Sequence, residues 1–546
     1  MMGAIFGLVA GAFVHRANPN ATSLGRLGAT KWTCFVCSFG LDGLIHHLAN
    51  HSESVDVFIE NHLCTLFNDE LLKDTCIEFV EIYGDAIITG LMNQMSSDEI
   101  CQGVGLCDKS ECRLRPKGYA YPKLSFSLGG YLKYRKPFQK PAFDPWQWLN
   151  ELLDKVYVQR LPAFDLDNDG FSDLPWLRGS SWRGKDCNDL DPNIHPGRRV
   201  NPTEDKGTDF NCNGIKGIDP ESKKPWKDVL CEGTNTLGVA VVGDSAGAHF
   251  GVPASWFNLS EWNLGALDNA LYRILHELDL PHYSGYTGFV ESTDKLPVRS
   301  VYKYLRETNL CNHRDFQNVA VNGGTSSNTK DHLKAFRRDP NNDHPMIVFL
   351  ELIGNDVCKG PTKPADFKKN ILSLLDTLNS TLPKGSHVVM IGLVNGSLLY
   401  ENLHERQHPA GIPYADFYEY LTCQGSNPCK GWLTKNDTAR AASTKRAFEL
   451  NAQYKEIVEE GRVWENFDYV YYDLPTTDII EKAKEQGIEI YDLIEPVDGF
   501  HPGQLFHAML GDWLWEAIKR DRPMWIGESN PNNQRILQLF GDQGGY

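Results

Sequence analysis

The apolar run Leu237-Gly-Val-Ala-Val-Val242, followed at once by Gly243-Asp-Ser-Ala-Gly247, constrains this chain more than any other stretch. A β-branched run that ends in glycine and serine reads as a buried strand opening into a tight turn. Such a turn lifts a hydroxyl to the carboxyl edge of a sheet, where backbone N–H groups face a substrate. Ser245 is therefore a candidate nucleophile, and it needs a base and an orienting acid. Asp498-Gly-Phe-His501 supplies both. Its i, i+3 spacing lets Asp498 lie beside His501, fix its tautomer and stabilise the imidazolium.

The same five residues around Ser245 also fit a G-x-S-x-G nucleophile elbow. In that fold several strands precede the elbow, the acid and the histidine lie on separate loops, and an HGGG-type segment sits upstream. None of this is in the sequence, where Ser245 follows the first strand of its domain. A second buried strand, Met346–Ile353, ends in Gly354-Asn355-Asp356. Asn355 can aim its amide at a developing oxyanion beside the Ser245 N–H; the plain alternative is a turn asparagine after a strand. Gly-Asp-Ser, Gly-x-Asn-Asp and Asp-x-x-His resemble the blocks of the GDSL, or SGNH, hydrolases. The family's middle glycine falls in Asn322-Gly-Gly-Thr-Ser326, where no single donor stands out. The sequence departs from the family at Ile353, where a glycine is usual.

At 546 residues the chain needs two or three domains, and 41% apolar residues allow each a full core. A net charge of −17 excludes a nucleic-acid partner, since phosphate binding needs concentrated positive charge. Fourteen cysteines suggest disulfides and an oxidising compartment. Sequons at Asn20, Asn50, Asn258, Asn379, Asn395 and Asn436 agree with secretory passage of a glycoprotein. Residues 1–30 open with an apolar, glycine-rich stretch, Met1–Val14, whose length suits a signal peptide rather than a membrane span. These features predict a secreted or lysosomal, vesicular protein.

Cys34, Cys37, Cys64, Cys76, Cys101 and Cys107 fall within residues 31–112. Leu41, Leu44, Ile45 and Leu48 are spaced for an amphipathic helix, and helical patterns recur over Val55–Phe67, Leu71–Tyr83 and Asp85–Met95. The wide cysteine gaps fit zinc poorly. The spacing resembles a saposin B-type domain, which implies an all-α leaf that opens to take up acyl chains. It also implies the nested pairs Cys34–Cys107, Cys37–Cys101 and Cys64–Cys76. A small helical domain that only helps the precursor fold is the alternative. Residues 113–160 then form a linker, basic and aromatic as far as Lys140, that either meets anionic headgroups or is open to proteases; a solvated segment with no further role is the bland alternative.

Asp165-Leu-Asp167-Asn-Asp169-Gly170-Phe171-Ser-Asp173 alternates carboxylates around a glycine turn, a pattern for a hard, oxygen-ligated cation, here Ca2+. An EF-hand would place glutamate where Trp176 stands, so further ligands must come from nearby. Asp186, Asn188, Asp189 and Asp191 form one such cluster, and Asp205, Asp209, Asn211, Asn213 and Asp219 another. Cys187 and Cys212 sit inside the two clusters and are placed to join them. Carboxylates this dense repel one another without a cation, although solvated acidic turns are the bland alternative. Residues 161–230 are thus a structural calcium-binding segment.

Residues 231–546 hold the remaining strands, His387–Val394 and Asp468–Tyr472, alternating with helical patterns over Phe367–Leu378 and Ala441–Glu460. The alternation predicts an α/β fold, a parallel sheet with helices on both faces and the active site at the strands' carboxyl ends. The SGNH resemblance makes that sheet flavodoxin-like. His249 and His313 lie near site loops but lack a carboxylate at Asp-x-x-His spacing, so each reads as structural or substrate-contacting.

A saposin-type leaf, an acidic connector and an SGNH hydrolase in one chain resemble the acyloxyacyl hydrolases. The specific pieces are Gly243–Phe250, Cys311–Asp315, Ile353–Cys358, Glu495–Pro502 and Phe540–Gly545. The resemblance implies a serine lipase that removes secondary acyl chains from lipid A of lipopolysaccharide, meeting membranes or micelles transiently. It also implies a two-subunit form after a proteolytic cut, with pairs Cys112–Cys423, Cys231–Cys311 and Cys358–Cys429. Two alternatives stay open. One is a phospholipase or acyltransferase on glycerolipids, using the same residues; the other is a non-catalytic lipid-binding protein.

Overall fold

The computed structural model describes residues 34, 37–46, 48–49, 87–104, 107, 111–124, 156–199, 207–256, 273, 276–293, 296–360 and 362–546. The chain divides into two compact units. The first comprises residues 1–151, 252–274 and 400–435; the second comprises 152–251, 275–399 and 436–546.

In the first unit residues 37–46 are helical, and a second helix spans Ser97–Gly103. Ser96 starts that helix with a reciprocal cap, its hydroxyl taking the Glu99 N–H while Glu99 returns to the Ser96 N–H. Disulfides join Cys34 to Cys107, Cys37 to Cys101 and Cys112 to Cys423. The Cys64–Cys76 pair and the helical patterns over 55–67 and 71–83 lie outside the described residues. Phe39 sets its ring edge-on to Phe417 and Tyr420 of the helix Tyr414–Gln424. Nearby, Arg115 makes a buried bidentate pair with Asp42 through Nε and Nη2, and the same Nη2 also donates to the Ala410 carbonyl at 2.9 Å. That extra bond satisfies a donor that would otherwise be stranded in the interior.

The second unit is built on five parallel strands: β1 (Gly238–Gly243), β2 (Phe316–Asn318), β3 (Met346–Glu351), β4 (Ser386–Ile391) and β5 (Phe467–Tyr472). Their order is β2-β1-β3-β4-β5. Every residue of β1 and β3 is buried, as expected of near-continuous Val, Ile and Leu in a sheet covered on both faces. The helices are α1 (Val301–Thr308), α2 (Pro364–Thr381), α3 (Asp437–Glu459), α4 (Thr476–Glu485) and α5 (Gln504–Asp521). Register decides which face each helix covers. Val241, Phe349, Val389 and Val470 share one face and pack with residues of α1, α4 and α5. Leu350, Met390 and Tyr471 share the other, where Tyr454 of α3 stacks on Tyr471 and meets Phe367 of α2 edge-on. The buried residues of α2, Phe367, Ile371, Leu374, Leu375 and Leu378, recur at helical spacing as its sequence predicts.

Residues 156–199 and 207–225 contain no long regular element among the described residues. They join the sheet at its β2 edge. Gly184 N–H donates to the Phe316 carbonyl and Asn318 N–H to the Trp182 carbonyl, so residues 182–184 pair antiparallel with β2. Cys187–Cys212 and Cys231–Cys311 brace this region, and Cys358 and Cys429 are also disulfide-bonded.

Candidate active site

β1 ends at Gly243, and the chain turns so that Ser245 stands beyond the carboxyl edge of the sheet. His501 Nε2 lies 2.7 Å from Ser245 Oγ. On its other side, His501 Nδ1 hydrogen-bonds Asp498. The sequence separates serine and histidine by 256 positions. The Asp498 loop is held by its own backbone. One Asp498 oxygen takes the N–H groups of Phe500 and His501, and Glu495 takes those of Val497 and Asp498. Burial pushes the Asp498 carboxyl up, but the His501 charge and these donors outweigh it and leave its pKa below the usual value. Asp498 therefore stays ionised, which is what an orienting acid requires.

Asn355 opens a short helix after β3 and is almost buried, its amide donating to Asp244 at 3.3 Å. The loop Asn322–Ser326 lies beside the same turn. A Cβ on Gly324 would fall 2.7 Å from the Gly243 carbonyl oxygen, so only glycine permits that approach. Asp356 ties this loop to Asn355 by accepting the Ser326 N–H and hydroxyl. The Gly324 N–H itself bonds the Val321 carbonyl. Ser245, Asn355 and His501 open onto an apolar pocket lined by Ile353, Val394, Leu398, Leu474, Ile480, Leu493 and Phe506. Ile353, the departure from the family pattern, thus contributes apolar wall.

A match to the GDSL-like lipase/acylhydrolase family covers residues 239–514, and one to saposin-like type B, region 2, covers 74–107. Acyloxyacyl hydrolase of Oryctolagus cuniculus is 35% identical over 96% of this chain and 95% of its own length. Acyloxyacyl hydrolase of Homo sapiens is 36% identical over 94% of this chain and 93% of its own. The chain belongs to the acyloxyacyl hydrolase family. Saposin-C of Cavia porcellus is 29% identical over 76 residues, 93% of that protein. This acyloxyacyl hydrolase family member is accordingly an ester-hydrolysing enzyme of GDSL type with a saposin-like domain, acting on acylated lipids.

Beneath its nucleophile turn lies a group that the sequence motif does not reveal. Glu351 ends β3 fully buried, with Oε2 3.4 Å from the Asp244 N–H and Oε1 without a hydrogen-bond partner among the described residues. A Cβ on Gly243 or Gly247 would come within 2.5 or 2.7 Å of Glu351 Oε2, so both glycines of the motif make room for that carboxyl. Burial, and then the Asp244 charge, hold Glu351 well above the usual carboxylate range. Burial likewise raises Asp244 to about 6, despite the Ala246 N–H and the nearby His501. Only the paired glycines could have signalled this arrangement, and they have other uses in a tight turn. Gln504 was equally silent in the sequence. It accepts from His249 Nε2 at 2.7 Å and donates to the Pro297 carbonyl. His249 also stacks on His507. His313 accepts from Arg306 and bonds the Gly545 carbonyl; burial, and then the charges of Arg306 and Arg314, lower its pKa to about 3.

The acidic loops converge in part. Oxygens of Asp165, Asp167 and Asp189 lie within 4.8 Å of one another, as do those of Asp167, Asp169 and Asp186. Asp167, Asp169 and Asp186 each keep one buried oxygen with no hydrogen-bond partner, and Asp186 is almost fully buried. Burial first, and then neighbouring carboxylates, raise Asp169 to about 8 and Asp186 to about 7. Oxygen donors with orphaned lone pairs and mutual repulsion fit a hard divalent cation. Phe171 stacks on His195, leaving its backbone carbonyl as the only ligand it offers. Asp191 caps Asn193, Asp219 caps Glu221 and Ser222, and Asn213 caps Ile215. Asp209 takes the Gly214 N–H and keeps one buried oxygen without a partner. Asn188 and Asn211 flank these turns, and Asp205 lies outside the described residues.

Proposed function

We propose that this enzyme removes secondary, acyloxyacyl-linked fatty acids from lipid A of lipopolysaccharide. The observation that carries the reading is the hydrogen-bonded series Asp498–His501–Ser245 at the mouth of an apolar pocket, in a chain similar to acyloxyacyl hydrolases along almost its whole length. Ser245 Oγ attacks the ester carbonyl carbon while His501 Nε2 takes its proton. The Asn355 amide, anchored by Asp244, and the Ser245 N–H hold the oxyanion. The tetrahedral intermediate collapses to an acyl-Ser245, and His501 returns the proton to the leaving hydroxyl. Water, deprotonated by His501, then releases the fatty acid and restores Ser245.

Residues 161–230 hold structural Ca2+ in this reading, with Asp165, Asp167, Asp169, Asp186 and Asp189 as its ligands. The protein is secreted or lysosomal, which the disulfides and the exposed sequon residues Asn395 and Asn436 support. A proteolytic cut between Cys112 and Cys423 yields a two-subunit form held by that disulfide. It meets membranes or micelles transiently, and among the described residues no helix is long and apolar enough to cross a membrane.

The test is incubation of the purified protein with lipopolysaccharide and, separately, with phospholipids, followed by identification of the released fatty acids. Release of secondary chains from lipid A, lowered by several orders of magnitude in Ser245→Ala, is the expected result. Release from phospholipids alone would replace lipid A by glycerolipid as the substrate. Residual activity of Ser245→Ala within about tenfold of wild type would remove Ser245 as nucleophile.

A further inference from the structure

Large apolar side chains stand exposed on the acidic loops. Leu166 lies between Asp165 and Asp167 and is 69% exposed; Leu190 lies between Asp189 and Asp191 and is 77% exposed. The two loops are tied directly, because the Leu166 N–H donates to Asp189 at 3.1 Å. Phe164 and Trp176, 36% and 38% exposed, sit on a neighbouring pair of turns joined by the Ala163 N–H and the Leu177 carbonyl. Isolated exposed leucines are ordinary, but apolar tips gathered on cross-linked loops are not.

The loop bearing Trp176 is also anchored on both sides of a strained turn. Leu177 and Arg178 both adopt left-handed backbone, at φ +52° and +66°, a strained choice for two consecutive non-glycine residues. Arg178 holds it in place, buried, bidentate to Glu277 and stacked over Trp182 at 3.6 Å. A tip already ordered loses little freedom on docking.

We propose that Phe164, Leu166, Trp176 and Leu190 form a docking surface for an anionic lipid surface. The surface rests on the calcium reading above. A chain of net charge −17 is repelled by anionic headgroups, and these loops are among its most acidic parts. Ca2+ held by Asp165, Asp167 and Asp189 cancels most of their charge and can bridge to phosphate oxygens, which then complete its coordination shell. The flanking leucines then bury among acyl chains. A lipid partner fits because the enzyme's substrates are acylated lipids, which present themselves in aggregates.

The full-length protein, loaded with calcium and then stripped of it, is sedimented with vesicles of phosphatidylcholine alone and of equimolar phosphatidylcholine and phosphatidylglycerol. Calcium-loaded protein is expected to bind the anionic vesicles more tightly. Replacing both leucines (Leu166→Ser, Leu190→Ser) should weaken that binding about tenfold or more. Bound calcium, by elemental analysis, and hydrolysis of a short soluble ester should stay as in wild type, which shows the variant folded. Wild-type vesicle binding by the double variant would overturn the docking surface, as would calcium-loaded protein that treats both vesicle types alike. A purified protein with no bound calcium would overturn the calcium reading itself.

Discussion

Glu351 and Asp244 crowd two carboxyls under the nucleophile turn, where water cannot stabilise a second negative charge. Glu351 is therefore neutral in the folded state, held above its usual range by burial and by Asp244. In the unfolded chain it ionises near its ordinary value, so folding takes up a proton and stability falls as pH rises. The slope is about 1.4 kcal/mol per pH unit wherever the folded form is protonated and the unfolded form is not. Glu351→Gln keeps the shape and has no proton to take up. Its urea-unfolding free energy, relative to wild type, should improve as pH rises above the ordinary glutamate range, by up to about 1.4 kcal/mol per pH unit. Parallel wild-type and variant profiles would mean that Glu351 is charged when folded. At this scale Ser245, His501, Asp498 and Asn355 were legible because each sits in a short motif with its own spacing. Glu351 was not, since a polar residue closing a strand carries no pattern that says what it lies beneath.

The acidic loops bring several carboxylates within 4.8 Å of one another, so their shape is expected to depend on cancelling charge. They are stitched to β2 through residues 182–184, so their unfolding exposes a sheet edge. A cation bound only by the folded state contributes about 2.7 kcal/mol when present at a hundred times its dissociation constant. For a unit of this size, exhaustive chelation should lower the melting temperature by about 4 °C. Hydrolysis of a short soluble ester should survive chelation below the new transition, because none of these residues belongs to the Ser245 site. An unchanged melting temperature in calorimetry would remove the cation from the stability of the fold. The sequence displayed the carboxylates and their turn chemistry. It could not say that Asp165 and Asp167 converge with Asp189 while Asp219 caps its own turn, since that depends on how the loops fold over one another.

At the scale of the whole molecule, the question is why a saposin-type leaf accompanies a hydrolase. Drawing an acyl chain from an aggregate into water exposes apolar surface at about 0.8 kcal/mol per CH₂, or about 9 kcal/mol for a 12-carbon chain. A saposin-type region that shelters the chains not being cut would offset that cost. Deleting residues 34–107 should then nearly abolish hydrolysis of aggregated multi-acyl lipid while sparing a short soluble ester, with folding of the remainder checked by circular dichroism. Equal loss on both substrates in a folded remainder would make the leaf a folding aid. The sequence by itself determined four of the five strands, helices α2 and α3 and the candidate catalytic residues, because periodicity and tight-turn motifs are local and survive without knowledge of neighbours; the three-residue strand β2 is too short to carry such a pattern. Only the tertiary structure decided that residues 400–435 leave the hydrolase unit to join the first, where Phe417 and Tyr420 find Phe39. It alone also brought Glu351 under Ser245 and left Leu166 and Leu190 in the open. These outcomes turn on which apolar faces and charges meet across hundreds of residues, and packing settles that, not any pattern along the chain.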